Sequence, residues 1–522
     1  MEKKSQAHRR DFLKSAAVGA AGLSAASQVF GAPATGKVLG ANDRIGVGFI
    51  GTGSRCQAHL DIIKRLAEEN KGAVPAAVCD VWDGNDIVKR GLYYSQQKVG
   101  LSREKAYRDY RKLLDDKDVD VVCIAAPDHW HARMSIDAAA AGKHVYCEKP
   151  MTRTIDEAHT VVDAMKKHNK VMTVGVQSMA EARWRLAHEL IRAGKIGHVA
   201  QAQTSYYRNS DVGQWRYYKL TEDMTPRTID WKMFLGTEFG LAPEMPFDRA
   251  LYGQWRCYWP FGGGMFTDLF VHQTTHTIAA MGVRYPRRVV GGGGIYLEYD
   301  GRDVPDVATI VADYEEGCQL IVTATMINDH AIEEVIRGHT GTLRFSSKFA
   351  EQEGKNVRVD DGFEIIPQNL RGGAGLPAQL GDIKGEWVSG PAKGIGTKPF
   401  WSNFDTASLW ENFLECVRNG NRSTWSPPEL GAAAFTTVNM GVQSYRQGKA
   451  LYWDAQARKP VPADPSWAAM WEDRSKGRGK PNQVLGWKAG DTGSLLNPPE
   501  YMRLGGPWIG GKPPEAAEAG GS

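Results

Sequence analysis

Ile45-Gly46-Val47-Gly48-Phe49-Ile50-Gly51-Thr52-Gly53-Ser54-Arg55-Cys56 passes from a short apolar run through two spaced glycines into a polar, periodic stretch. Residues 45–50 read as a buried strand, and Gln57 to Ala67 as a helix with apolar residues on one face. The turn between them carries the chemistry. Gly51 permits a tight turn, and Gly53 lets the backbone approach an anion at a helix N-terminus, where unpaired N–H groups collect. Cys56 takes the place of a third glycine, whose job there is close packing of helix on sheet, and a small side chain can do it.

Strand and helix patterns alternate outward from this turn. Ala73 to Cys79 is a second strand ending at Asp80, Tyr110 to Leu114 lies in a short helix, and Val119 to Ala126 is strongly apolar. A helix at Trp130 to Ala141, a strand at His144 to Cys147, helical spacing through Ile155, Ala158, Val161, Val162 and Met165, and a strand at Val171 to Val174 complete the series. This order predicts an α/β fold with a parallel sheet and right-handed crossovers, an N-terminal Rossmann dinucleotide-binding domain over residues 42–178. Asp80 stands where a carboxylate bonds the ribose hydroxyls of NAD; it would repel a 2′-phosphate, so NAD is favoured over NADP.

Residues 179–455 predict a C-terminal α+β domain with an open, mainly antiparallel sheet. Ala308 to Tyr314 and Gln319 to Ala324 alternate as half-buried strands joined at Glu316-Gly317. Residues 346–400 are Gly-rich and polar and read as an insertion or excursion. Residues 456–522 are rich in Pro and Gly yet hold Trp467, Trp471, Trp487 and Trp508, so an arm lying on a surface is expected.

The chain opens on His8-Arg9-Arg10-Asp11-Phe12-Leu13-Lys14, followed by a modest apolar run rich in Ala and Gly from Ser15 to Phe30. That run is too short and weakly apolar for a membrane anchor. Residues 1–34 therefore read as a twin-arginine export signal, with cleavage near Ala32-Pro33-Ala34. The partner is the twin-arginine machinery, the location periplasmic or otherwise exported, and no membrane anchor is expected. Formal net charge is +4. The first 34 residues hold five basic and two acidic groups, which leaves about +1 for the rest and no electrostatic footprint for nucleic acid. Seven cysteines without a CxxC spacing read as small buried apolar residues.

Two further motifs carry a resemblance. Ala125-Ala126-Pro127-Asp128-His129-Trp130-His131, with Ala141-Gly142-Lys143-His144-Val145-Tyr146-Cys147-Glu148-Lys149-Pro150, resembles the Gfo/Idh/MocA oxidoreductase family. Gly262-Gly263-Gly264-Met265-Phe266-Thr267-Asp268-Leu269-Phe270-Val271-His272 matches that family's glycine run and Asp-x-x-x-His pattern, and the likeness extends from about residue 44 to Asp454. The resemblance implies a nicotinamide-dependent enzyme acting on a sugar, polyol or related hydroxyl compound, with Lys149, Asp268 and His272 in the catalytic positions. Cofactor contacts fall on Gly51, Gly53, Ser54, Arg55, Asp80, Ala126, Pro127, His131, Glu148, Lys149 and Gln177, and substrate contacts on Arg256, Tyr258 and His276.

The residue types suit that chemistry. Oxidising an alcohol needs a base for the hydroxyl proton, and His272 can accept one near neutral pH. Lys149 can stabilise a developing alkoxide, and Asp268, four residues before His272, can orient the imidazole or bind a hydroxyl. Asp268, His272 and His276 could ligate a metal by spacing, but no second ligand cluster supports one, and none is expected. Aromatic-basic runs at Tyr206-Tyr207-Arg208, Trp215-Arg216-Tyr217-Tyr218 and Trp255-Arg256-Cys257-Tyr258-Trp259 offer faces for sugar CH groups and guanidinium for hydroxyls or carboxylates; core or interface packing is the alternative.

Export constrains the reaction. Outside the cytoplasm no soluble NAD pool resets the cofactor, so a tightly bound NAD is expected. The leading reading is a sugar or glycoside oxidoreductase. A redox-neutral glycosidase like the exported α-N-acetylgalactosaminidases, or a non-catalytic sugar-binding protein on the same fold, are the alternatives. The family resemblance also implies a homodimer or homotetramer.

Overall fold

The computed structural model describes residues 44–352, 355–369, 385–389 and 404–478. The expectations for residues 1–34, and for the arm beyond Arg478, lie outside the described residues.

β1 (Ile45–Ile50) is buried along its whole length, as a parallel strand covered on both faces must be. It joins β2 (Ala73–Cys79), β3 (Ala106–Tyr107), β4 (Val121–Ile124), β5 (His144–Glu148) and β6 (Met172–Gly175) in the order β3-β2-β1-β4-β5-β6. Every pairing is parallel. Between them run α1 (Ser54–Glu68), α2 (Leu92–Lys98), α3 (Tyr110–Leu114), α4 (Asp128–Ala140) and α5 (Ile155–Lys167). α5 starts on a capping box, Thr154 with Glu157, which satisfies two otherwise unpaired N–H groups. The winding reverses between β1 and β4, so their carboxyl ends flank a crevice of the kind that binds nucleotides.

α6 (Ala182–Arg192) leads into a ten-stranded sheet. Its strands are β7 (Val199–Tyr207), β8 (Arg288–Gly294), β9 (Val307–Tyr314), β10 (Cys318–Thr325), β11 (Glu334–Gly338), β12 (Gly341–Gln352), β13 (Lys355–Pro367), β14 (Glu386–Ser389), β15 (Leu451–Asp454) and β16 (Lys459–Pro462), ordered β14-β13-β12-β11-β7-β10-β9-β8-β15-β16. β7 with β10 is parallel and the other pairings are antiparallel. β10 alternates buried Leu320, Val322 and Ala324 with half-buried Gln319, Ile321 and Thr323, the pattern of a sheet with one covered face. The stretch from residue 346 begins as the hairpin β12–β13, part of this sheet, where the sequence reading places an excursion.

Between β7 and the site helices the chain folds α7 (Trp231–Leu235) and α8 (Arg249–Gly253), then α9 (Gly264–Asp268) and α10 (Phe270–Met281). α11 (Phe404–Arg418), α12 (Pro428–Gln447) and α13 (Ser466–Arg478) complete the described helices. α11 returns to the first domain: Trp410 stacks on Tyr146 at 4.3 Å and donates its indole N–H to His59 Nδ1 at 2.8 Å. The first domain's core is thus finished by residues far beyond 178. All seven cysteines are free and buried. Among the described residues no helix is long and apolar enough to cross a membrane.

Candidate active site

The turn after β1 is built for close approach of a ligand. Gly51 has φ +81°, and a Cβ there would lie 2.6 Å from the Ala126 backbone nitrogen, so no L-side chain fits. A Cβ on Gly53 would meet nothing within 4 Å, which leaves open space at the N-terminus of α1. Cys56 is fully buried, as a helix–sheet contact requires. The cleft above this turn is lined by Gly51, Gly53, Ser54, Arg55, Asp80, Ala126, Pro127, Arg90 and Arg256, among others.

A roof from the second domain crosses this cleft, contributing Tyr218, Phe234, Tyr252 and Trp255. It is tied to the loop after β2 by Asp83 N–H to Thr228 O, Asp230 N–H to Val81 O, and Asn85 to Asp223 at 2.7 Å. Arg90, absent from the sequence reading, spans both sides: one Nη donates to Ser54 Oγ at 2.9 Å and the other to Lys219 O at 3.0 Å. Its Nε is buried with no partner, a donor left for a ligand on the cleft wall. Gln177, in the turn after β6, likewise has a buried Oε1 without a partner. Open glycine, orphaned donor and orphaned acceptor fit a dinucleotide.

Several residues expected to touch the cofactor also brace the turns around it. Asp80 Oδ2 accepts from Thr52 N–H at 2.6 Å and Thr52 Oγ1 at 3.1 Å, and Oδ1 accepts from Trp82 N–H at 2.9 Å. Burial raises its pKa, and its carboxylate spends most of its hydrogen-bonding capacity on the turn. Glu148 Oε1 accepts from Arg55 Nε at 2.7 Å and faces His59 Nε2 at 2.9 Å. The neighbouring Arg55 cation and the His59 hydrogen bond outweigh burial and hold Glu148 well below the usual carboxylate range. Arg55 also donates to Thr406 Oγ1 at 2.9 Å, so it is committed to α1–β5–α11 packing as well as lining the cleft. His131 is buried, with its nitrogens 2.7 Å from Ala126 O and 2.6 Å from Pro150 O. It clamps the turns after β4 and β5 together and makes no wall of the cleft.

Lys149 and Asp268, which the sequence names separately, pair with each other. Lys149 Nζ donates to Asp268 Oδ1 at 2.6 Å and to its carbonyl at 2.9 Å. Arg256 Nε donates to the same Oδ1 at 3.0 Å, and the buried Trp215 indole N–H donates to Oδ2 at 3.2 Å. Although burial raises it, Asp268 is held far below its ordinary pKa by the Lys149 and Arg256 charges. Trp215 sits at φ +65°, an uncommon conformation for a bulky residue, and nothing in its sequence context announces it.

Two expectations about the histidines change. Asp268 does not orient His272, because its oxygens are taken by Lys149, Arg256 and Trp215. His272 is pushed down to about 3, chiefly by burial and then by the Lys149 charge, so in the resting site it is neutral but a weak base. Its ring lies 5.8 Å from that of Tyr206. His276 is engaged by protein groups: Nδ1 is 2.9 Å from Ser178 Oγ, Nε2 is 2.8 Å from Glu334 Oε1, and the ring stacks on Trp184 at 3.9 Å. Among the described residues no three side chains of the metal-ligating types come together. Tyr258 is also diverted, its hydroxyl accepting from Arg216 at 3.2 Å within a network with Asp300 and Gln254.

Asp128 was quoted within a motif but given no role. It is fully enclosed at the start of α4, with Oδ2 3.3 Å from Thr267 Oγ1. Burial raises it to about 7, opposed by the nearby Arg256 and Lys149 charges and reinforced by Asp268.

Comparison with known proteins agrees with this geometry. The Gfo/Idh/MocA model, described as oxidoreductase family, NAD-binding Rossmann fold, matches residues 45–176. A glycosyl hydrolase family 109 protein of Shewanella pealeana is 31% identical over 243 residues, covering 41% of this chain and 51% of that protein. Levoglucosan dehydrogenase of Pseudarthrobacter phenanthrenivorans is 35% identical over 167 residues, 28% of this chain and 43% of that enzyme. The chain thus spans about half the length of the curated relatives it matches. Among solved structures, the WlbA dehydrogenase of Bordetella pertussis in complex with NADH and UDP-GlcNAcA superposes with TM-score 0.53 at 17% identity, over 81% of this chain and all of that one. The aldose-aldose oxidoreductase of Caulobacter crescentus gives 0.53 at 20% identity, over 78% and 99%. These two establish the shared two-domain fold. Over residues 45–176 the chain is thus similar to the NAD-binding Rossmann domain of Gfo/Idh/MocA oxidoreductases.

Proposed function

We propose that this chain is an exported oxidoreductase that moves a hydride between a hydroxyl-bearing carbon of a sugar, polyol or glycoside and a tightly held NAD. The observation that carries the reading is the Lys149 ammonium, fixed by Asp268 just past the end of β5, with His272 on the neighbouring helix. Gly51, Gly53, Ser54, Arg90 and Gln177 would hold the nucleotide. When bound, its nicotinamide supplies the hydride acceptor.

The chain's own residues handle the rest of the balance. Loss of hydride from carbon and of a proton from oxygen turns the alcohol into a carbonyl. Lys149 donates a hydrogen bond to the substrate oxygen and lowers the energy of its negative charge. Neutral His272 accepts a hydrogen bond from the hydroxyl. Its proton affinity rises as negative charge develops on that oxygen, which offsets the depressing effect of Lys149. The roof over the cleft excludes water and slows nucleotide escape, as an enzyme working outside the cytoplasm needs.

The test uses the protein as purified. Denaturation should release nucleotide, and added sugars should change the absorbance of reduced nicotinamide without external cofactor. Lys149→Ala should abolish that change while retaining bound nucleotide. Protein that neither carries nor binds NAD would overturn the reading.

A second reading has its own support. The glycosyl hydrolase family 109 relative and the α-N-acetylgalactosaminidase of Shewanella oneidensis, also 31% identical, favour a redox-neutral glycoside cleavage by the same residues. Aryl-glycoside hydrolysis that disappears in Lys149→Ala, with no net nicotinamide reduction, would select it. Export by the twin-arginine route rests on the Arg9-Arg10 segment, and self-association on the family likeness. Secretion of a fusion to residues 1–34, and the mass in solution, test each.

A further inference from the structure

The mouth of the site carries more positive charge than it neutralises. Arg208 follows β7, and its guanidinium lies over the Tyr206 ring at 4.7 Å, donating to the Tyr206 hydroxyl at 2.6 Å. Tyr206 in turn faces His272. Arg208 makes no ion pair with any carboxylate among the described residues, although it is only partly exposed. On the other side Arg256 spends its Nε on Asp268 and lies against Trp255 at 4.2 Å. The Tyr217 phenol lies close enough to both to feel the charges of Arg208, Arg256 and Asp268.

The charged groups can be compared directly. Lys149, Arg208 and Arg256 are cations; Asp268 pairs with Lys149 and Arg256, and its charge also reaches Arg208. Asp128 lies behind, hydrogen-bonded to Thr267, and is about half protonated near neutrality. Glu148 is committed to Arg55 and His59, and Asp300 to Arg216 and Arg302. A guanidinium without an ion-pair partner, one ring away from His272, favours a planar or tetrahedral oxyanion on the ligand.

We propose that the substrate is an acidic sugar, one bearing a carboxylate or sulfate, whose anionic group is received by Arg208 while Lys149 and His272 face the reacting hydroxyl. This rests on the oxidoreductase reading for the second half and on Arg208 for the first. Isothermal titration of nucleotide-loaded protein with matched pairs separates the possibilities: methyl glucuronide and glucose 6-sulfate against methyl glucoside, and galacturonate against galactose. At least one acidic member should bind about tenfold or more tightly than its neutral partner. That preference should shrink at high salt in the wild type, and should fall close to unity in Arg208→Gln while persisting in part in Arg208→Lys. Equal binding within every pair, no binding of any acidic sugar, or a preference unchanged in Arg208→Gln would overturn the proposal. Turnover of neutral sugars without acidic preference sinks this proposal alone; protein that binds no NAD sinks the oxidoreductase reading, and the same titrations of the protein as purified then still judge Arg208.

Discussion

Asp128 and Glu148 are two buried carboxyl groups that their surroundings push in opposite directions. Glu148 has Arg55 and His59 within 3 Å, so it stays ionised; its stabilising contribution is present above the ordinary carboxylate range and lost as pH falls. Glu148→Gln leaves Arg55 and His59 without their anion, and chemical denaturation should show a loss of about 3–5 kcal/mol. Asp128 has a single weak donor, Thr267, and the charges of Arg256, Lys149 and Asp268 around it. Its pKa is raised to about 7, so it holds its proton more tightly folded than unfolded. The contribution is full below about pH 4 and lost as pH rises through 7, a slope worth up to about 4 kcal/mol. Asp128→Asn should flatten that slope. It should also remove an inflection near pH 7 from kcat/KM, whereas His272→Asn should lower kcat/KM by about a hundredfold and leave the inflection in place. An inflection near 7 that survives in Asp128→Asn would assign it to another group.

The turn from β1 into α1 shows how an element encodes its own site. Gly51 combines a left-handed φ with a Cβ-excluding contact on Ala126, so both its conformation and its space demand glycine. Gly51→Val should abolish retained nucleotide and lower the melting temperature, while Gly53→Ala, facing open space, should keep the fold and weaken nucleotide binding. Nucleotide released per protein on denaturation reads both. These features were legible in the sequence because spaced glycines between a strand and a helix have few other uses. His276 was not: its position one turn beyond His272 suggested a shared face with substrate, but Ser178, Trp184 and Glu334 come from other elements and claim both its nitrogens and its ring.

At the scale of the molecule, the two domains are interlocked. α11 covers the first domain's sheet, with Trp410 on Tyr146 and His59, Thr406 on Arg55, and Val174 N–H donating to Ser426 O. Trp410→Ala removes a fully buried indole and should cost about 3–5 kcal/mol, in one transition that includes both domains. Two separate transitions on melting, with only the first altered by the substitution, would contradict that coupling. The roof over the nucleotide is built the same way, from a segment of the second domain pinned to the loop after β2 by backbone hydrogen bonds.

The sequence by itself determined the parallel sheet and the glycine turn through its local motifs, while the Lys149–Asp268 pairing came from the tertiary structure. Period, punctuation and motif spacing are properties of neighbouring residues, and the backbone expresses them wherever it folds. Only the tertiary structure decided which polar groups spend their hydrogen bonds on protein and which stay open to a ligand. Asp80, Glu148, His131, Tyr258 and His276 bond to protein groups, Trp215 reaches Asp268 from a left-handed backbone conformation, and Arg90 spans the cleft. A buried polar side chain takes the first well-placed partner that folding brings to it, and that partner is often more than 50 residues away in the chain.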